Sequence, residues 1–208
     1  MKILAISDHV LPQLEYQENV RSQYGEAELI ISCGDMPAPY LDLIGSTLNV
    51  PLFFVRGNHD TAYTDDRPGG DNLHERFVSY NGLTFAGLEG SPRYNAGPAQ
   101  YSGSQMWSMV LRFAPRLLLR RLRFGSGVDV LVTHAPPRDI HDRSDLAHRG
   151  FQSLRFFVNM YRPRYLLHGH VDNIDNRRET VTRLAETEII NINPVKMITI
   201  ERRPQHGL

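Results

Sequence analysis

Five short apolar runs of this 208-residue chain each end in side chains able to bind a cation. They close with Ser7-Asp8-His9, Cys33-Gly34-Asp35, Arg56-Gly57-Asn58-His59-Asp60, Thr133-His134-Ala135-Pro136-Pro137 and His168-Gly169-His170-Val171-Asp172. Ligands of α/β sheets bind outside the carboxyl ends of the strands. If the runs are strands, Asp8, Asp35, Asn58 with His59, His134, and His170 with Asp172 reach one rim. Mixed nitrogen and oxygen donors suit Mn²⁺, Fe or Zn²⁺ better than Ca²⁺, which takes oxygen alone. A lone strand-end aspartate is ordinarily a cap or turn residue, and a lone Thr-His pair is common. The ordered set of five carries the signal.

The elements that must position these residues follow from the same pattern. Run length and β-branched content predict strands over 2–7, 29–33, 52–55, 83–86, 128–133 and 165–167. Three more, over 180–185, 188–192 and 196–201, read as an antiparallel run, with Asn193-Pro194 turning between the last two. Helices are expected over 11–24, 38–48, 105–122 and 151–160. Residues 61–72, rich in Asp, Gly and Pro, read as a surface loop. Alternation early and clustered strands late predict a layered α/β fold with more than one sheet. Residues 1–208 read as a single domain.

Composition narrows the surroundings. The chain is 41% hydrophobic and 22% charged, as ordinary globular proteins are. Its 23 basic and 23 acidic residues balance, so no overall field favours nucleic acid or a membrane. No stretch approaches the roughly 20 apolar residues needed to span a bilayer. The single cysteine, Cys33, permits no internal disulfide, and a cytoplasmic location is expected.

The ordered motifs resemble the calcineurin-like metallophosphoesterases over Asp8 to Asp172. That family's Asp-x-His, Gly-Asp, Gly-Asn-His, His and Gly-His-x-His appear here as Asp8-His9-Val10, Gly34-Asp35, Gly57-Asn58-His59, His134 and Gly169-His170-Val171-Asp172. Further segments are similar to those of poorly characterised prokaryotic members: Ile31 to Asp35, Gly87-Leu88-Glu89-Gly90-Ser91, His134 to Pro137, and Ile140 to Phe151. The resemblance implies a four-layer α/β/β/α sandwich of two mixed β-sheets with two divalent metal ions at the rim. Mn is the first expectation, with Fe, Zn, Mg or Ni as alternatives. It implies that Asp35, Asn58, His134 and His170 hold the second metal, with Asp35 bridging. It assigns Asp8 and Asp35 to the first metal together with two histidines, whose places fall on Val10 and Asp172. A site of carboxylates favours harder ions and is expected to bind weakly. His9, His141 and His148 are candidates to replace the missing imidazoles.

The implied chemistry is hydrolysis of a small phosphorylated substrate, a phosphodiester or phosphomonoester, by a metal-bound hydroxide. By resemblance His59 protonates the leaving group, and Asp60 is placed in sequence to orient it. The competing readings are a scaffold or binding module that has lost the chemistry, suggested by Val10, and a nuclease, which calls for a basic groove. Arg112, Arg116 and Arg120 share a helical face and read as solvated. Trp107, Met106 and Met109 read as packing and Cys33 as inert, while His168 reads either as a group supporting the metal ligands or as a buried partner of a backbone carbonyl. Arg93-Tyr94-Asn95 lies in a loop within possible reach of a substrate.

Overall fold

The computed structural model describes residues 1–64, 66–124, 127–172 and 179–201. The first half contains β1 (Lys2–Ile6), α1 (Gln17–Tyr24), β2 (Leu29–Ser32), α2 (Ala38–Leu48), β3 (Leu52–Phe54), β4 (Asp71–Asn72), β5 (Phe77–Tyr80) and β6 (Leu83–Leu88). Then come β7 (Ser91–Pro92), β8 (Gln100–Tyr101), α3 (Gly103–Phe124), β9 (Val130–Thr133), α4 (Gln152–Tyr161) and β10 (Tyr165–His168). The chain closes with β11 (Val181–Leu184), β12 (Thr187–Asn191) and β13 (Val195–Thr199).

One sheet runs β13-β1-β2-β3-β4 and the other β11-β12-β10-β9-β6-β5. Both are mixed. β1, β2 and β3 are parallel in the first, and β6, β9 and β10 in the second. Side chains alternate across each strand, which settles the layers. Ile3, Ala5, Ile31 and Phe53 face inward, where Phe85, Val130, Val132 and Leu167 of the other sheet meet them. Leu4, Ile6 and Ile30 face outward onto Val20, Leu41 and Ile44 of α1 and α2. Leu131, Leu166 and Ile189 pack on Val110, Phe113, Leu154 and Phe157 of α3 and α4. Each such side chain, fully buried, contributes about 1.5–3 kcal/mol. The order is α/β/β/α, as the resemblance implied.

Three local expectations change. The helix expected over 11–24 breaks: a 3-10 turn, Pro12–Glu15, precedes α1, and Tyr16 between them is extended. Proline suits the first turn of a helix, and the buried Leu14 anchors that turn against the core. The final strands do not form one antiparallel run. β11 and β12 pair antiparallel, but β12 lies parallel to β10 and β13 crosses to pair with β1. That crossing covers an edge of the first sheet that would otherwise leave backbone groups unpaired. Residues 61–72 are not all loop, since β4 adds to β3. α3 starts before the expected position because Ser102 and Gln105 form a reciprocal cap. Ser102 N–H donates to Gln105 Oε1 (2.8 Å) and Gln105 N–H to Ser102 Oγ (3.2 Å).

Candidate metal centre

The parallel strands end at a common rim, and the chain turns there through unfavourable conformations. Asp8, Asp35 and His170 have φ of 66°, 56° and 69°. Non-glycine residues in this region cost about 1–3 kcal/mol each and persist where neighbours over-determine them. Here the neighbours are one another's loops. Asp8 N–H donates to the Gly34 carbonyl (3.2 Å), and His170 N–H to both carboxylate oxygens of Asp8 (3.1 and 2.9 Å). Asp35 N–H donates to Asp60 Oδ2 (2.8 Å). Glycine is required where the loops touch. A Cβ on Gly57 would run into the Asp35 carboxylate, and one on Gly169 into Ser7 Oγ and Asp8.

Asp35, His134 and His170 each offer a ligand atom within 4.8 Å of the others. Donors about 2.0–2.2 Å from a shared ion fit within that spacing. Asn58 belongs with them: its Oδ1 lies 3.1 Å from His134 Nε2, and Asp35 Oδ2 lies 3.3 Å from the same nitrogen. His134 Nδ1 sits 2.8 Å from the Cys33 carbonyl, which can only accept, so Nδ1 carries a proton. The other nitrogen then faces two oxygen acceptors in a fully buried setting, an arrangement that attracts a cation. Burial opposes charge on His134, but the Asp35 carboxylate and its hydrogen bond, with Asp8, prevail and push the pKa up to about 9.

His170 behaves in the opposite way. Its Nε2 donates to the Ala147 carbonyl (2.7 Å), and its ring centroid is 4.7 Å from that of His134. Burial and the charge on His134 lower its pKa to about 3, so the ring is neutral. Nδ1 therefore keeps a lone pair for a ligand bond. Asp35 stays ionised: burial raises its pKa, but His134 and the His59 N–H outweigh that and lower it. The residues present fit a single divalent cation.

The sequence profile of calcineurin-like phosphoesterases matches residues 1–172. The chain belongs to the calcineurin-like phosphoesterase family. No curated protein matches it. One solved structure is 17% identical with a TM-score of 0.64, covering 96% of this chain and 99% of its own. TT1561 of Thermus thermophilus is 18% identical with a TM-score of 0.59, covering 92% and 88%. These likenesses concern the fold.

The remaining expected ligands of this family member are engaged elsewhere. Asp172 Oδ1 holds His9 Nε2 (2.7 Å) and Asn193 Nδ2 (2.8 Å), so His9 and Asp172 pair with each other. Asp8 has both oxygens under the His170 N–H; its pKa is raised by burial, against the pull of His134. His141 faces away from the centre, with Nδ1 2.9 Å from His168 Nε2 and Nε2 2.9 Å from Thr182 Oγ1. His168 Nδ1 meets the Gly169 carbonyl (3.0 Å), the second of the two roles open to it. His148 stacks near His170 (5.2 Å between centroids), but its Nδ1 pairs with Asp145 (2.8 Å). Among the described residues, the first metal's ligands do not converge as the second's do.

Asp60 does not orient His59. Its carboxylate accepts the N–H groups of Asp35 (2.8 Å), Met36 (3.0 Å) and Gly57 (2.7 Å), tying the β2 and β3 loops together. Burial raises its pKa to about 6 against these bonds. His59 is exposed, and its N–H donates to Asp35 Oδ1 (2.7 Å). The Arg112, Arg116 and Arg120 stripe is not simply solvated. It lies across the β5 region, bonding Glu75 Oε1 (2.7 Å), the Glu75 carbonyl (3.3 Å) and Thr84 Oγ1 (2.8 Å).

Two groups near the centre were missed or left open by sequence reasoning. Tyr94 Oη accepts from Asn58 Nδ2 (3.1 Å), which orients the amide oxygen toward His134. The loop bearing it is held by Gln100, whose Oε1 accepts from both Tyr94 N–H and Asn95 N–H (3.1 Å each). Glu89, 1% exposed, is bidentate with Arg56 (2.8 and 2.6 Å) and accepts from Tyr101 Oη (2.6 Å). Arg56 leads directly into Gly57-Asn58, so this clamp fixes a ligand loop. The signal was available, since Glu89 follows an apolar strand as Asp8 and Asp35 do.

Proposed function

We propose that the protein hydrolyses small phosphate esters, diesters or monoesters, with its working divalent ion among Asp35, Asn58, His134 and His170. The carrying observation is that three of these ligand atoms lie within 4.8 Å of one another and Asn58 Oδ1 adjoins them. Two imidazoles and two oxygens make a borderline donor set, which suits Mn, Fe, Zn or Ni more than Mg. An ion held there supplies Lewis acidity to a phosphoryl oxygen and lowers the pKa of a coordinated water. The residues do the rest. His59 lines, with Asp35, a cleft of about 360 Å³, from which it can pass a proton to a leaving alkoxide. Tyr94 Oη, beside Asn58, has its hydrogen available for a phosphoryl oxygen. Asp60 holds the ligand loops in register.

The carboxylate-rich first site is weak in this reading, and the pairing of His9 with Asp172 supports that. The same pairing favours, as the second reading, a binding module with little turnover. The nuclease reading has less support, because Arg112 pairs with Glu75 and Arg116 and Arg120 lie along the β5–β6 region. Cys33, buried and free, suits a cytoplasmic setting. No helix among the described residues is long and apolar enough to cross a membrane.

Hydrolysis of bis-p-nitrophenyl phosphate and p-nitrophenyl phosphate with Mn²⁺, Fe²⁺, Zn²⁺, Mg²⁺ or Ni²⁺ tests this. The wild type should turn over, and His59→Ala should lower kcat by about 10²–10⁴. Equal background rates for both proteins with every metal would favour the binding module.

A further inference from the structure

A cavity of about 540 Å³ opens between the 92–103 and 138–153 segments. Small-ligand sites run from about 300 to 1,000 Å³. Two kinds of side chain line it. Arg93, Arg138 and Arg149 bring positive charge, while Tyr101, Trp107 and Leu146 offer flat apolar surface. Arg93 donates to the Gln100 carbonyl (3.3 Å) and Gln105 Oε1 (2.9 Å), and Arg149 to the Ser144 carbonyl (3.1 Å). All of these acceptors are neutral. Arg138 is paired with Asp139 (3.5 Å) and Asp142 (3.8 Å), so Arg93 and Arg149 carry the charge left for a ligand.

The floor adds to the same preference. α4 begins there, and Phe151 before it supplies no side-chain cap, so the first-turn N–H groups lack that partner. Ser153, in that first turn and 1% exposed, has a hydroxyl with no hydrogen-bond partner among the described residues. The helix dipole, like the arginines, favours a negative charge.

Both walls continue into the metal centre. Tyr94, one residue beyond Arg93, bonds Asn58 (3.1 Å). Ala147 and His148, between Leu146 and Arg149, meet His170 through a 2.7 Å hydrogen bond and a 5.2 Å ring contact. These contacts place the cavity beside the metal centre.

We propose that this cavity binds the non-reacting half of the substrate, and that this half is an aromatic ring carrying a second anionic group, of nucleotide size. Its role as a substrate pocket rests on the hydrolase reading; the binding itself does not. Guanidinium groups recognise phosphate or carboxylate oxygens and stack on aromatic faces, which suits them to both parts of such a ligand.

Trp107 is the only tryptophan in the chain, so its fluorescence reports on this cavity. The full-length protein is titrated with adenosine 5′-monophosphate, adenosine and inorganic phosphate, each with Mn²⁺ and with EDTA. The proposal predicts a saturable change with the monophosphate that survives EDTA and is much weaker with either fragment. Arg149→Gln, at an exposed position that leaves the fold intact, and Arg93→Gln should each weaken it about tenfold. No saturable change, loss of the response in EDTA, or indifference to both substitutions would overturn the pocket. Phosphate alone matching the monophosphate would overturn the aromatic half. Binding without turnover of the nitrophenyl esters would count against the hydrolase alone, and turnover without binding against the cavity alone.

Discussion

Asp35, Asn58, His134 and His170 meet around one point, whereas Asp8 bonds a backbone N–H and Asp172 pairs with His9, although both groups sit at the carboxyl ends of strands along one rim. The difference lies in what occupies each side chain's other face. The carbonyls of Cys33 and Ala147 each take one N–H of a histidine, and the remaining nitrogens face inward. Asp172 Oδ1 is instead turned to His9 and Asn193, and the Asp8 carboxylate to the His170 N–H. A ligand set needs donors of the right type and also outer partners that leave their lone pairs free.

The strongest way to break this comparison is to remove a ligand from the assembled set. Loss of an outer partner typically costs 10–100-fold in metal affinity, so His134→Ala should cost more than about 100-fold. Elemental analysis after gel filtration checks this; retained metal would contradict the role of His134. The converse substitution sharpens the comparison. Val10→His with Asp172→His returns both imidazoles and frees His9 from its pair, and bound metal should rise from about one to about two equivalents. Unchanged stoichiometry would mean that the outer partners alone do not explain the weak site.

Protonation separates the two histidines. In the metal-free protein the pKa of His134 is raised to about 9, so an ion must displace its proton. Apparent metal affinity should therefore climb about tenfold per pH unit from 7 and level off near 9. The stability His134 contributes without metal has the reverse trend. It is complete below about pH 6.5 and lost as pH rises through about 9. His170, held near 3, adds no competing proton in that range. Calorimetric titrations at several pH values would show the slope, and a flat profile would contradict it. The smallest effect belongs to His9→Ala. It removes an exposed ion pair and should alter stability by less than about 1 kcal/mol, with metal content unchanged.

Much of this was legible before any coordinates. The inward-facing strands are apolar on both faces, so runs such as Leu29–Ser32 and Val130–Thr133 announce themselves. Strand ends in an α/β layer share one rim, which brings Asp8, Asp35, Asn58, His59, His134, His170 and Asp172 together; the family resemblance implied which four of them share an ion. What stayed hidden depends on partners far apart in the chain. His9 meets Asp172 across 163 positions. Asp60 serves backbone amides of another loop, which no local pattern signals. β13 leaves its neighbours for β1 because an open sheet edge was waiting, and Arg112 meets Glu75 across 37 positions.

Anomalous scattering from crystals grown with Mn²⁺ tests the central claim most directly. The account predicts one dominant peak, bonded to Asp35, Asn58, His134 and His170, and at most a weak one beside Asp8. Two peaks of equal height, or a peak away from those four residues, would contradict it.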